Sequence, residues 1–193
     1  MMLFKTTKAP PHKIATYESG LPTLVPKTEF WHPAYRKLLV KKKLKGLFFC
    51  EFLGWKQNDL SFLQTLSDLD LRELIVQPKY KNRTDISAIA ALPNISHLSV
   101  SEPLTGKLDF REFKDLKSLK VDFRKSFENL FECQNLETLY IFRYPYSDLS
   151  KLSNLTKLKR LVVSSRKLLS LSGIESLKDL EWLELHYASK LSN

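Results

Sequence analysis

Histidine and cysteine side chains are those that most often bind metals or act in catalysis, and this sequence has four histidines and two cysteines. Cys50 and Cys133 form neither a C-x-x-C pair nor a zinc pattern with the histidines. A disulfide scaffold would need more cysteines. The sequence therefore predicts that both cysteines are reduced packing residues, and that the protein holds no metal and no cofactor.

Catalytic motifs are absent from the sequence. It contains no glycine-rich phosphate loop, no H-E-x-x-H, no G-x-S-x-G and no zinc-deaminase motif. Asp68 and Asp70 are close in sequence, as are Glu181 and Glu184, but neither pair has the neighbours that acid–base catalysis requires. We therefore expect that the protein is not an enzyme.

Positive charge is concentrated near the N-terminus. The formal net charge is +10, and residues 1–60 carry 11 Lys and Arg against 4 Asp and Glu. The densest run is Arg36, Lys37, Lys41, Lys42, Lys43 and Lys45. Because lysines that contact phosphates release counterions, this run could bind nucleic acid or an anionic membrane. It also fits docking to an acidic protein. The favoured interpretation is a solvated cap surface whose leucines point inward, and nucleic acid is not the expected partner.

These side chains are positioned by an internal repeat. Leucine makes up 36 of the 193 residues, and the pattern L-x-x-L-x-(L/V/I) recurs along the chain, with phenylalanine ending the first copy. Apolar residues at alternate positions predict a short strand with one buried side, and stacked copies share one core. The steps between the central leucines are 27, 24, 21, 20, 22 and 22 residues, for Leu47, Leu74, Leu98, Leu119, Leu139, Leu161 and Leu183.

Residues 135–193 resemble bacterial leucine-rich repeats of the 22-residue, internalin-like kind. Residues 148–158 and 171–180 both look like the convex half of such a repeat. The resemblance extends over roughly residues 44–193 and implies an α/β solenoid, with a parallel β-sheet on the concave face and loops or short helices on the convex face. The family usually has asparagine three residues after the last strand leucine, but asparagine is missing there in all six copies compared. We therefore expect a short, irregular leucine-rich repeat arc.

The first repeat divides the chain into two predicted parts. Residues 44–193 form a leucine-rich repeat domain of about seven repeats. Residues 1–43 form an N-terminal cap segment, basic toward its end, in which Phe30, Trp31 and Tyr35 fold over the first repeat. The last strand is expected to be a thinly protected edge, so both a monomer and an edge-paired dimer stay open.

The sequence also carries a prediction about location. No apolar run reaches the 18 residues that a membrane span needs, and the first ten residues contain no apolar stretch of signal-peptide length. We therefore expect no transmembrane segment and a cytoplasmic location.

The predicted binding surface is the sheet face that points away from the core. Positions 3, 5 and 7 of each copy supply its side chains, and position 8 could extend it. His97 and His186 both lie on this face, but roughly 19 Å apart, which is too far to share a proton or a metal. Aromatic and arginine side chains, which dominate binding hot spots, collect in the last repeats. The candidate partner-binding residues are Lys120, Asp122, Phe123, Tyr140, Phe142, Arg143, Arg160, Trp182, Glu184, His186 and Tyr187.

Two functions fit these predictions. The preferred one is recognition of a single protein partner by the concave face. Bacterial repeat proteins of this size resemble immunity proteins, which neutralise toxins delivered by neighbouring cells, as in contact-dependent growth inhibition. That resemblance implies a toxin domain as the partner, with a nuclease as one candidate. The alternatives are that some candidate residues pack under a flanking loop, with Trp182 capping the last repeat, and that the protein is an RNA- or membrane-associated adaptor using the basic run.

Overall fold

The fold consists of short strands joined by loops and 3-10 turns. The computed structural model describes residues 10–78 and 83–191, and in this part of the chain it has one α-helix, α1 (Ala34–Lys42). The strands are β1 (His12–Ala15), β2 (Thr23–Pro26), β3 (Gly46–Cys50), β4 (Glu73–Gln77), β5 (Thr84–Asp85), β6 (His97–Val100), β7 (Leu104–Thr105), β8 (Ser118–Asp122), β9 (Thr138–Phe142), β10 (Arg160–Ser164) and β11 (Trp182–His186).

Nine of these strands form one sheet in the order β1-β2-β3-β4-β6-β8-β9-β10-β11. The β1–β2 pair is antiparallel, and every following pair is parallel. Each of the seven repeat copies supplies one strand, from β3 to β11, while β5 and β7 pair separately. The predicted parallel sheet and solenoid-like α/β architecture are therefore confirmed at this level.

The central leucines of the repeats form one continuous row. Parallel register pairs each with the next, from Leu47 at β3 to Leu183 at β11. The row is buried from Leu47 to Leu161, and Leu183 is only partly buried. Because a single repeat cannot bury its own apolar side, each leucine depends on its neighbours in the row for burial.

Short 3-10 turns supply the side of the core opposite the strands. At least one lies in the connection after each repeat strand up to β10, for example Glu51–Leu53 and Ser61–Leu66 after β3 and Lys125–Glu132 after β8. Their buried side chains include Leu63, Leu66, Ile89, Phe110, Phe127, Leu130 and Leu152. Loops and short helices thus face the sheet across one core, as the repeat pattern predicts.

The N-terminal residues extend the sheet and cover its first repeat. The β1–β2 hairpin, which the sequence analysis does not predict, adds to β3. Tyr35 of α1 is buried, and Trp31 stacks on Phe62 with ring centroids 4.5 Å apart. Phe30 is 60% exposed and does not cover the first repeat as expected. The predicted boundary between residues 43 and 44 lies just after the end of α1, where Lys43 has a left-handed backbone conformation. The division into two domains stays a prediction.

Both cysteines are free and buried. Burial raises the pKa of the Cys133 thiol to about 12. At pH 8 its thiolate population is therefore about a thousandfold below that of an ordinary cysteine thiol. We expect that an aromatic disulfide reagent labels Cys133 slowly in a folded Cys50→Ala variant and rapidly once urea unfolds it. Equal labelling rates in the two states would contradict this packing.

Candidate functional site

The open sheet face, defined as the strand side chains that point away from the core, has two different halves. In the first half, the turn between β1 and β2 lies against the sheet, and the Tyr17 ring meets the Phe48 ring edge-on at 5.0 Å. Val25, Phe48 and Cys50 are buried there in a small apolar cluster separate from the main core. In the second half, from β8 to β11, the predicted partner-binding side chains are partly or fully exposed. The second half is therefore the candidate surface for a large partner.

Cations and aromatic rings alternate across the second half. We call this set the cation–aromatic ladder: Lys120, Tyr140, Phe142, Arg160 and Trp182. The Lys120 amino nitrogen lies 5.3 Å from the Tyr140 ring centroid and 5.8 Å from that of Phe142. The Arg160 guanidinium carbon lies 5.8 Å from the Tyr140 ring and 5.0 Å from the Trp182 ring. The ladder thus spans β8, β9, β10 and β11 without a break.

The ladder orders side chains that would otherwise be flexible. Each cation–aromatic contact contributes about 0.5–1 kcal/mol at an exposed site. Lysine and arginine lose rotamer entropy when a partner immobilises them, and side chains already held by neighbouring rings lose less. Tyrosine, tryptophan and arginine are also the residues that contribute most to protein–protein affinity. The ladder therefore has the composition and the preorganisation of a protein-binding hot spot.

Polar neighbours extend the ladder along the edge strand β11. The Trp182 indole N–H donates to Glu184 Oε2 at 3.4 Å, and Glu184 Oε1 lies 2.7 Å from His186 Nε2. Trp182 itself is 53% exposed. These contacts leave Trp182 open to a partner while holding its ring in place.

The ring of Phe123, which is predicted to extend the binding surface, packs against neighbouring aromatic rings. It stacks on the ring of Phe131 with centroids 5.9 Å apart and meets the Tyr146 ring at 6.0 Å. Phe123 packs against the main core and is only partly exposed. Because β8 ends at Asp122, the alternation of strand side chains no longer determines its direction.

Arg143 and Tyr187 follow β9 and β11 and are both exposed. Each has a positive φ, 58° and 55° respectively, which is uncommon for residues other than glycine. The Arg143 guanidinium approaches Asp122 at 3.4 Å and Glu102 at 3.8 Å. The Arg166 guanidinium lies 5.8 Å from the Tyr187 ring. Arg143, Tyr187 and Asp122 therefore lie beside the ladder, at the carboxyl ends of the strands.

The basic run lies on and just after α1, which precedes β3 in the chain. Arg36 donates to Asp68 at 2.6 Å and to the Thr65 carbonyl at 2.6 Å, and Lys45 donates to Asp70 at 2.6 Å. Within the residues that the structure describes, the other four cations form no ion pair and are exposed: Lys37, Lys41, Lys42 and Lys43. Two of the six charges are thus neutralised locally, and the four exposed lysines form a patch separate from the ladder.

A buried carboxylate lies in the first half of the open sheet face. Glu73 in β4 is 3% exposed, and its side chain accepts a hydrogen bond from the Thr23 hydroxyl in β2. The two residues reach each other across Gly46 in β3, which stands between them in the register. A Cβ at Gly46 would overlap the Thr23 hydroxyl and come within 3.0 Å of Glu73 Oε2. Glycine at this position therefore permits the hydrogen bond.

Replacing Gly46 with alanine is expected to lower the free energy of unfolding by about 1–3 kcal/mol, because the buried Glu73 carboxylate loses its donor. Urea denaturation of the full chain measures this change. In a Thr23→Ala background the hydrogen bond is already lost, so Gly46→Ala should cost less there. Equal losses in both backgrounds would show that the bridge across Gly46 does not stabilise the fold.

Titratable groups on the open sheet face do not assemble into a metal-binding set in the described chain. Burial lowers the pKa of His97, which keeps its imidazole neutral at neutral pH. Burial also raises the pKa of Tyr140, so its phenol stays protonated. Among residues 10–78 and 83–191, no group of three or more His, Cys, Asp or Glu side chains could hold a metal ion. The open sheet face thus presents hydrogen-bonding groups, charged groups and aromatic rings.

Comparisons with solved structures find chains that are similar to this one. No family model matches the chain, and no curated protein matches it. The chain is similar to the crystal structure of internalin C2 from Listeria monocytogenes strain 4b F2365, at 26% sequence identity and a TM-score of 0.48. The similarity covers 68% of this chain and 61% of that one, so the chain spans less than two thirds of internalin C2. Within the described residues, no helix has the length and apolar character of a membrane span. By its repeats, strand register and core, the chain has a leucine-rich-repeat-like, solenoid-like α/β fold.

Proposed function

We propose that this protein is a non-enzymatic binding module that holds one protein partner on its cation–aromatic ladder. The ladder itself is the observation that carries the proposal. It places three exposed or partly exposed aromatic rings beside two cations on adjacent parallel strands. Such rings bury a large area at low entropic cost, and arginine offers a planar fork for carboxylates and backbone carbonyls.

A protein fits this surface better than a nucleic acid does. Carboxylates lie among the cations beside the ladder, since Asp122 approaches Arg143 and Glu184 accepts from Trp182. A phosphate backbone favours continuous positive charge, whereas protein surfaces offer charges of both signs. The exposed lysines of the basic run precede β3, whereas the ladder begins at β8, three strands later in the sheet.

The specific partner that we propose is a bacterial toxin domain, which this chain would neutralise in the cytoplasm by covering its active surface. The proposal is supported by the resemblance of the repeats to the 22-residue bacterial kind and by the ladder on the open sheet face. A toxin with acidic groups near its active site would complement Lys120 and Arg160.

The test combines capture with a growth assay. The tagged full chain is used to pull partners from its native cells, with and without nuclease treatment, beside a Tyr140→Ala/Trp182→Ala variant. We expect a stoichiometric protein that survives nuclease and is lost with the variant. That protein should arrest growth when expressed alone, and co-expression of the wild-type chain should restore growth.

Three other outcomes are informative. Capture of nuclease-sensitive material alone would contradict protein binding and favour an RNA adaptor that uses the basic run. Capture that depends on anionic lipid would favour a membrane adaptor. A nuclease-resistant partner that does not arrest growth would refute the toxin while supporting the binding module.

A further inference from the structure

A cavity of about 340 Å³ opens on the first half of the open sheet face, beneath the β1–β2 turn. Its apolar walls are Tyr17, Phe48 and Ile75, and the buried Glu73 carboxylate and the exposed Glu18 also line it. We call this cavity the Glu73 pocket. Its volume falls within the range of ordinary ligand sites, toward the small end, which suits one long side chain.

The Glu73 carboxylate retains capacity for another donor. Two carboxylate oxygens offer about four acceptor positions. Within the described residues, the Thr23 hydroxyl is the one hydrogen-bond donor to the Glu73 side chain. A carboxylate that is largely removed from water and borders an open cavity favours a cationic donor, because charge-assisted hydrogen bonds offset its desolvation.

The basic residues that line the pocket, His97 and Lys120, do not remove the preference of the Glu73 carboxylate for a cationic donor. Burial lowers the pKa of His97, so this lining residue is neutral at neutral pH. Lys120 lines the far side, and its amino group lies over the Tyr140 and Phe142 rings of the ladder. Glu18 and Glu73 thus supply two carboxylates to the pocket lining. Lys120 supplies one ammonium group, which already contacts the aromatic rings of the ladder.

We propose that the Glu73 pocket receives an arginine side chain of the protein partner. This inference rests on the proposed function, because it places a second anchor beside the ladder on the same sheet face. A guanidinium group is planar, so it stacks on the Tyr17 or Phe48 ring while it donates two hydrogen bonds to Glu73. Its methylene stem packs against Ile75.

The first experiment uses small probes and needs no partner. N-acetyl-arginine methylamide is titrated into the isotope-labelled full chain and followed by NMR. The uncharged isostere N-acetyl-citrulline methylamide is the matched control. We expect the arginine probe to shift the signals of Tyr17, Ile75 and Ser99 and to bind at least about 10-fold more tightly than citrulline. Equal binding of both probes, tighter binding of N-acetyl-lysine methylamide, or no binding would overturn the inference.

Variants then separate the pocket from the ladder. Glu73→Gln keeps the size of the side chain and the acceptor for Thr23, and Tyr17→Ala removes a wall outside the main core. Each is expected to weaken the arginine probe and the captured partner by about 10-fold. The exposed Glu112→Gln variant controls for loss of a carboxylate.

If both pocket variants bind the partner normally while Tyr140→Ala/Trp182→Ala does not, the pocket assignment fails and the proposed function stands. If the ladder variant also binds normally, the proposed function fails.

Discussion

Replacing Tyr140 and Trp182 together with alanine should weaken partner binding by at least about 100-fold. The two rings lie on either side of Arg160, so their loss removes both aromatic contacts that order its guanidinium. Hot-spot aromatic residues contribute about 2 kcal/mol or more each, and their effects are not strictly additive. Calorimetric titration of wild type and variant with the purified partner measures the change in Kd.

Matched surface changes distinguish this result from a general loss of exposed side chains. Phe52 is an aromatic residue that is 80% exposed in the 3-10 turn Glu51–Leu53, and Phe52→Ala should change Kd less than about twofold. Glutamine at positions 37, 41, 42 and 43 should also leave Kd within about twofold, with weak salt dependence in all variants. A steep salt dependence that disappears with the four glutamines would place binding on the basic run.

Truncating the central leucine of β8 is the second large expected effect. Leu119 is fully buried, and the register places it between Leu98 and Leu139. Leu119→Ala should lower the free energy of unfolding by about 2–5 kcal/mol through lost burial and a cavity that the packed row cannot close. Urea denaturation followed by circular dichroism measures the loss.

The same substitution at the end of the row is its natural control. Leu183 occupies the equivalent repeat position in the edge strand β11, where it is only partly buried and has a strand neighbour on one side. Leu183→Ala should therefore cost about 1 kcal/mol. Equal losses at both positions would contradict a core shared through stacked neighbours.

The repeats were predictable because their physics is local. A leucine, or Ile95 in the third copy, three residues before the central leucine and an apolar residue two after it mark the strand of each copy. Parallel pairing requires no other long-range information. Each of the seven copies forms a strand in the expected order, including the first, which ends in Phe49.

The first half of the open sheet face was not predictable from the repeat pattern, since its cover lies outside the repeats. The β1–β2 hairpin carries only a weak signal, in the turn residues Ser19 and Gly20 before the strand that begins at Thr23. Alternation correctly places Glu73 away from the main core. Burial of Glu73 depends on the β1–β2 turn, some fifty residues earlier in the chain. It also depends on the lack of a side chain at Gly46, which leaves room for the hydrogen bond from Thr23.

The second half of the open sheet face shows where the alternation of strand side chains stops predicting their direction. Ladder residues within strands follow the period of two, so their shared face could be read from the sequence. Phe123 lies just beyond β8, where local packing with Phe131 and Tyr146 determines its direction instead. Pairing of cations with particular rings depends on rotamers, which the residue pattern does not specify.

Site-specific photo-crosslinking identifies the surface that the partner contacts. Benzoylphenylalanine is introduced singly in place of Tyr140, Lys41 or Phe52, and each full-length chain is irradiated in nuclease-treated native lysate. We expect a covalent adduct with one protein from position 140, and none from positions 41 or 52. An adduct from position 41 with no adduct from position 140 would contradict this expectation and move the binding surface to the basic run.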